Sequence, residues 1–95
     1  MVHGSIIASE ADLPALPVRV WCVDRYPYMR RRALLITAAV KTALGTLFTI
    51  EEVAQNGRHG PPRPVLATVL FEHGHIICST PRMATKVILN ELMKK

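Results

Sequence analysis

The first clear pattern along the chain is an alternation of apolar and polar positions in Val18–Asp24, which predicts the first β-strand. Val20 and Cys22 fall on one face and Trp21 falls on the other, and a period of two is the spacing of side chains on a strand. We expect Trp21 to pack in the core, and an exposed anchor for a partner is the alternative.

Residues 1–17, which precede this strand, predict an N-terminal arm. Pro14 and Pro17 exclude a helix or a central strand there, because proline lacks the amide hydrogen that both require. The apolar pair Ile6–Ile7 predicts a short edge strand within the arm. The chain therefore divides into the arm and a single domain, residues 18–95.

A second pattern, in which apolar residues recur three or four positions apart, covers residues 28–44 and predicts the first helix. Gly45 follows at the position where glycine commonly ends a helix. The residues that share the apolar face of this predicted helix are Met29, Ala33, Ile36, Val40, Ala43 and Leu44.

Strand composition returns at residues 46–54, and two further strands are predicted at residues 65–72 and 76–79. Residues 56–63 are rich in glycine and proline and predict a loop. The histidine–glycine pair between the last two strands is a signal for a two-residue hairpin turn. These last two strands are therefore expected to pair with each other.

A second helix is predicted from Pro81 onward. Thr80 can cap it, and proline is tolerated at the first helical position because an amide hydrogen there would have no partner. Its buried stripe consists of Ala84, Val87, Ile88 and Leu92. The predicted order β-α-β-β-β-α gives an α+β fold, in which a mostly antiparallel sheet of three to four strands has both helices packed on one face. The opposite face is then open to a partner.

The composition indicates one folded, soluble domain with a positive surface. Of the 95 residues, 49% are hydrophobic and 20% are charged, which separates the chain from disordered proteins. The formal charge of +5 predicts attraction to anionic partners, with solubility alone as the other interpretation. No apolar stretch is long enough to span a membrane and no secretory signal is visible, so a cytoplasmic protein with Cys22 and Cys78 as reduced core thiols is expected.

Arginines and tyrosines concentrate at residues 25–32, the junction of the predicted first strand and first helix. Cations are unfavourable in the first turn of a helix, so this concentration predicts a bound anion or an interface, with solvated arginines as the alternative. Tyrosine suits both base stacking and protein interfaces. The predicted contact residues are Arg25, Tyr26, Tyr28, Arg30, Arg31 and Arg32, and Arg58 and Arg63 of the loop extend the positive surface. Alanine at Arg30, Arg31 and Arg32 is expected to abolish binding and leave the fold intact.

Candidate catalytic and metal-binding residues are few. His73 and His75 share one side of a predicted turn, but no third ligand follows at a recognisable spacing, so no metal site and no cofactor are predicted. Ser79 and Thr80 near His75 lack an organised base and carboxylate. We therefore expect a protein without catalytic activity.

The chain combines the arginines of residues 25–32 with fewer than a hundred residues in the order β-α-β-β-β-α and no predicted active site. In these features it resembles small phage-encoded inhibitors of host defence, anti-CRISPR proteins in particular. The resemblance is one of type, because this group shares neither a motif nor a fold. It implies a stoichiometric inhibitor that binds a host CRISPR effector ribonucleoprotein in the host cytoplasm. Contact with the guide RNA or with the channel that receives target DNA is part of that implication.

Two other functions are open at this point. A small sheet with one open face can bind RNA or DNA directly through basic and aromatic side chains. The chain can also be a structural subunit of a ribonucleoprotein assembly, in which the arm and the loop become ordered. Salt separates these functions, because phosphate binding weakens steeply as salt rises and an apolar protein interface changes little.

Overall fold

A computed structural model describes residues 4–25, 29–72 and 74–94, and within these ranges six strands form one sheet. The elements are β1 (Ile6–Ile7), β2 (Val18–Asp24), β3 (Arg30–Thr42), β4 (Gly45–Val53), β5 (Arg63–Leu66), α1 (Ala67–Leu70), β6 (His75–Cys78) and α2 (Pro81–Met93). The order of strands is β1-β6-β2-β3-β4-β5, and each neighbouring pair is antiparallel. The α+β class, the mostly antiparallel sheet and the two helices are confirmed, with six strands in place of three to four.

Strand β2 has the predicted bounds and lies near the centre of the sheet, between β6 and β3. Val20 and Cys22 are buried on one face, Val23 is buried on the other, and Trp21 is half buried beside Val23. Burial on both faces is typical of a strand in the middle of a sheet that is covered on both sides.

The main departure from the prediction is β3, because most of the segment predicted as the first helix is a strand. Ile36 pairs with Val18 of β2 and with Ile50 of β4. Leu34 and Ile36 are buried on one face, which is the alternation of a strand. Backbone hydrogen bonds to strands on both sides outweigh the local helix propensity of residues 28–44, since propensity is a weak preference that tertiary contacts override.

The glycine predicted to end that helix turns the chain between β3 and β4. Gly45 has a φ of 111°, a conformation that glycine adopts without the steric penalty of a side chain. The Thr42 hydroxyl donates to the Gly45 carbonyl at 2.7 Å and accepts from the Leu44 amide at 3.1 Å. The prediction that Gly45 ends a helix was wrong, because its positive φ serves a turn between two strands.

The predicted hairpin of residues 65–72 and 76–79 is also wrong. Strand β5 pairs with β4, whereas β6 lies between β1 and β2. The short helix α1 separates them, with Leu70 buried and Ala67 and Phe71 packed against the core. Burial of these three side chains on the sheet requires the chain to leave the strand conformation after β5.

The two faces of the sheet carry separate hydrophobic clusters, and each helix covers one of them. The first cluster consists of Ile7, Val20, Cys22, Leu34, Ile36, Phe48, Ile50, Leu70 and Ile77. The second consists of Val23, Cys78, Ala84 and Val87. Because α1 contributes to the first cluster and α2 to the second, the helices lie on opposite faces, which corrects the prediction of both helices on one face. The face expected to be open is therefore partly covered.

The N-terminal segment packs on the sheet through β1, which forms the predicted edge strand beside β6. Ile7 is buried in the first cluster, and Leu13 and Leu16 pack against the same cluster. The segment before β2 therefore supplies part of the main core.

Helix α2 begins where it was predicted. The Thr80 hydroxyl accepts a hydrogen bond from the Met83 amide at 3.1 Å, which is the expected cap. Ala84 and Val87 are buried and Ile88 packs against the same cluster, whereas Leu92 is exposed, so the predicted stripe is confirmed except at Leu92. In the described ranges, no helix combines the length and the apolar character needed to cross a membrane.

Candidate functional site

The arginines of residues 25–32 lie at the end of β2 and the start of β3, where alternation directs them to different faces of the sheet. Arg31 faces α2, and Arg32 faces the side of the first cluster. The segment is a strand, so it has no helix N-terminus at which an anion could bind. The predicted contacts Tyr26 and Tyr28 lie outside the described residues.

Arg32 is bound by carboxylates of the protein itself. Its Nε donates to Asp24 Oδ2 at 2.6 Å, its Nη2 donates to Asp24 Oδ1 at 3.1 Å, and its Nη1 lies 3.7 Å from Glu52 Oε1. Burial lowers the pKa of Arg32, but the hydrogen bonds and the negative charge of Asp24 outweigh burial and raise it above its ordinary value. Arg32 therefore has a structural role. The expectation that alanine there leaves the fold intact assumed that Arg32 lies at a helix N-terminus, whereas it lies in a strand.

Arg31 and Arg25 connect the sheet to α2. Arg31 Nη1 donates to the Pro81 carbonyl at 3.2 Å and to the Thr85 hydroxyl at 3.0 Å. Arg25 Nη2 lies 3.4 Å from Glu91 Oε1. Arg31 thus contacts only uncharged groups among the described residues, whereas Arg25 has an acidic partner.

Two adjoining grooves lie at this end of the sheet, each of about 310 Å³. Arg30, Arg31 and Arg32 line the first groove, and Arg58 lines the second. Glu52 borders both, so the two grooves form one surface. We refer to the surface formed by Trp21, Arg30, Arg31, Glu52, Gln55 and Arg58 as the basic groove.

Positive charge exceeds negative charge in the basic groove. Neither Arg30 nor Arg58 has an ion pair in the described part of the chain. Glu52 is the one carboxylate that borders the groove, and Arg32 already lies beside it. The guanidinium donors of Arg30 and Arg58 are therefore available to an anion.

Trp21 adds an aromatic surface to the basic groove. Its indole packs against the second cluster and also borders the groove. Trp21 is thus half buried, so its position combines the predicted core role with the exposed alternative.

Arg63 borders neither of the two grooves. It lies on β5 and lines a pocket of about 170 Å³ beneath α1, which Arg32 also lines. The structure therefore brings Arg58 to the surface of Arg30 and Arg31, and Arg63 to a pocket that it shares with Arg32.

A polar cluster at the pairing of β2 and β6 was not predicted. Asp24 is the register partner of His75, and Cys22 lies two residues earlier on the same face of β2. The Cys22 thiol donates to Asp24 Oδ1 at 3.5 Å, and His75 Nε2 lies 3.5 Å from the same oxygen. We refer to Cys22, Asp24 and His75 as the Cys-Asp-His cluster.

The thiol of the cluster is not an activated nucleophile. Burial, and then the negative charge of Asp24, raise the pKa of Cys22 from 9.0 to about 12. Because only the thiolate attacks an electrophile, Cys22 is nearly unreactive at neutral pH in the metal-free protein. This direction is the opposite of the lowered pKa that the thiol of a cysteine–histidine catalytic pair needs.

Comparison with known proteins assigns the chain to no family. No family model, no curated protein and no solved structure matches it. The basic groove and the Cys-Asp-His cluster are therefore the two candidate functional sites of the protein.

The sequence contains one signal for the cluster. Cys22 and Asp24 alternate onto one face of a strand that was predicted correctly. The neighbours of His75 in sequence, His73, Ser79 and Thr80, give no indication that Cys22 and Asp24 are its partners. Pairing of β2 with β6 would have identified the cluster, but the predicted hairpin assigned β6 to another partner.

Proposed function

We propose that the protein is a non-enzymatic binding protein that uses the basic groove to contact phosphates of RNA in a ribonucleoprotein partner. The observation that carries the proposal is that Arg30 and Arg31 of β3 border one groove and that Arg58, in the loop after β4, borders the adjoining groove. Arginine binds phosphate oxygens through paired donors. One glutamate, which already lies beside Arg32, does not neutralise these three arginines.

The aromatic side chain in the groove supports a single-stranded segment of nucleic acid. Trp21 lies beside Arg31 in the groove lining, and a base that stacks on an aromatic side chain contributes about 1–3 kcal/mol. Stacking tolerates any base, so sequence preference is expected to be weak.

The specific partner that we propose is a host CRISPR effector complex with its guide RNA. This part of the proposal rests on the resemblance in type to small phage-encoded inhibitors, on a chain of 95 residues and on a net charge of +5. The basic groove supplies the contact to RNA that such an inhibitor would use.

The groove is tested by the binding of fluorescently labelled single-stranded RNA, measured by anisotropy over a range of salt. Each phosphate neutralised on a single strand contributes about −0.7 to the slope of log K against log salt. Arg30→Ala is expected to make this slope shallower by about 0.7 and to weaken binding several-fold, because one phosphate contact is lost.

Lys41→Ala is the matched control for Arg30→Ala. Both residues are exposed on β3 and carry one positive charge, but they lie near opposite ends of the strand. At ~3.3 Å per residue the separation is roughly 35 Å. Equal losses of affinity in the two variants would show that net charge alone drives binding and would overturn the assignment to the groove.

Affinity capture from a bacterial lysate, with and without nuclease, tests the partner. A defined ribonucleoprotein that is retained after nuclease treatment, and is lost in the Arg30→Ala variant, supports the proposal. Recovery of only nuclease-sensitive RNA or DNA would favour the direct nucleic-acid-binding module, the second function that the groove allows.

A further inference from the structure

Three side chains with metal-ligating atoms meet where β2 pairs with β6. Cys22 Sγ, Asp24 Oδ1 and His75 Nε2 all lie within 4.8 Å of one another. We propose that the Cys-Asp-His cluster is a binding site for a single divalent transition metal ion, Zn²⁺ by preference. A thiolate, an imidazole and a carboxylate together are a ligand set that suits Zn²⁺.

The two distances from Asp24 Oδ1 to the other ligand atoms match the coordination shell of zinc. Zinc lies about 2.3 Å from sulfur and about 2.0–2.1 Å from histidine nitrogen and carboxylate oxygen. Tetrahedral angles then place neighbouring ligand atoms roughly 3.3–3.6 Å apart. The observed distances from Asp24 Oδ1 are 3.5 Å to Cys22 Sγ and 3.5 Å to His75 Nε2.

The second nitrogen of His75 is oriented as in a metal-bound histidine. His75 Nδ1 lies 3.3 Å from the Val69 carbonyl oxygen, which can only accept a hydrogen bond. In the neutral tautomer with the hydrogen on Nδ1, Nε2 presents its lone pair to Asp24 Oδ1. A metal ion between these two atoms replaces a contact between lone pairs with two coordination bonds.

Arg32 holds the carboxylate in place and adjoins the cluster, since its Nη2 donates to Asp24 Oδ1 and lies 4.0 Å from Cys22 Sγ. Its Nε and Nη2 donate to Asp24, and each carboxylate oxygen has two lone pairs, so Oδ1 retains one for a metal ion. Coordination places the electron pair of Cys22 Sγ on the metal and releases the thiol proton to solvent. The metal and Arg32 then carry three positive charges, and the Cys22 thiolate, Asp24 and Glu52 carry three negative charges.

The site leaves room for a fourth ligand from solvent. Cys22 and His75 both line the pocket of about 170 Å³ beneath α1, together with Leu34, Ile50 and Arg63. Three protein ligands and one open position distinguish this arrangement from a closed structural zinc site, which has four protein ligands. Water or a small anion near Arg63 completes the shell.

Titration of the reduced, chelator-treated protein with Co²⁺ tests the proposal, because Co²⁺ takes tetrahedral zinc sites and reports its ligands by absorbance. We expect the absorption bands of tetrahedral Co²⁺ together with a thiolate-to-metal charge-transfer band. Both should saturate at one ion per chain, and one equivalent of Zn²⁺ should displace the Co²⁺. Zn²⁺ should also raise the Tm of the protein, since it binds the folded state.

His75→Ala should lower the affinity for Co²⁺ by more than the 10–100-fold typical of losing a second-shell partner, because a direct ligand is removed. His59→Ala is the matched control, since His59 also contacts a carboxylate, 2.9 Å from Glu51 Oε1, but lies outside the cluster. Its affinity should equal that of the wild type. Cys22→Ser should remove the charge-transfer band.

Two results would overturn the proposal. One is a folded wild-type protein, verified by circular dichroism, that gives no charge-transfer band and no shift in Tm, in which case the cluster is a polar contact group that binds no metal. The other is equal loss of affinity in His75→Ala and His59→Ala, which would indicate adventitious binding to surface histidines. The Co²⁺ spectrum of the wild-type protein decides the proposal by itself. The test therefore still holds if a variant fails to fold.

Discussion

Arg30 and Arg32 are two residues apart on the same face of β3, yet only Arg32 contacts carboxylates in the described part of the chain. Asp24 is the register partner of Arg30, but its carboxylate accepts its hydrogen bonds from Arg32, and Glu52 also lies beside Arg32. A run of identical residues therefore divides into a structural member and members that are available for binding. Residue type alone does not distinguish them.

The structural role of Arg32 is tested by alanine substitution. Arg32→Ala removes two donors from Asp24, whose side chain is only 17% exposed, and an unsatisfied buried acceptor costs about 1–3 kcal/mol. We expect the free energy of unfolding, measured by urea denaturation, to fall by ~2 kcal/mol. Arg30→Ala is the control and should change it by less than ~0.5 kcal/mol. Equal stability of the two variants would contradict the role assigned to Arg32.

The raised pKa of Cys22 predicts slow alkylation of the metal-free protein. A rise from 9.0 to about 12 lowers the thiolate population at neutral pH by roughly a thousandfold relative to the unfolded chain. Reaction with iodoacetamide in a Cys78→Ala background, followed by mass spectrometry at pH 7.5, should therefore be far slower in the folded protein than in urea. Rapid reaction of the folded protein would contradict a protonated, buried thiol.

The raised pKa of Cys22 also makes the free energy of unfolding depend on pH. The folded state holds the Cys22 proton more tightly than the unfolded state, so this contribution to stability is complete below about pH 9. It is lost as the pH rises toward 12. Cys22→Ala should remove this part of the alkaline decline in the free energy of unfolding.

At the level of elements, β1 shows how two residues attach an N-terminal segment to a sheet. Its backbone pairs with β6, and its two side chains point to opposite faces. Ile7 is 3% exposed in the first cluster, whereas Ile6 is 48% exposed. Attachment of the segment therefore depends on one side chain more than on the other.

Ile7→Ala and Ile6→Ala test this asymmetry with the same chemical change at adjacent positions. Truncation of a buried isoleucine costs about 2–5 kcal/mol, because apolar area is lost and a cavity remains. We expect Ile7→Ala to lower the free energy of unfolding by that amount and Ile6→Ala to lower it by less than ~1 kcal/mol. Similar values for the two variants would contradict the docking of β1 on the first cluster.

In the whole molecule, one sheet separates the two hydrophobic clusters, and the two candidate sites lie where strands distant in sequence meet. Pairing of β2 with β6 brings His75 to Cys22 and Asp24. Pairing of β3 with β4 brings Arg30 beside Glu52 and the loop that carries Arg58. Neither site is contained in one segment, so no local motif could describe either of them.

The amino-acid sequence by itself determined the elements whose signals are local. Alternation defines β2, the threonine–proline pair starts α2, and the composition gives an excess of positive charge. Only the tertiary structure decided that residues 30–42 are a strand, that β5 and β6 do not pair, and that the helices cover opposite faces. The physical reason is that apolar segments such as β3 fit a helix or a strand locally, and hydrogen bonds from strands distant in sequence choose between them. Both candidate sites depend on these pairings between strands.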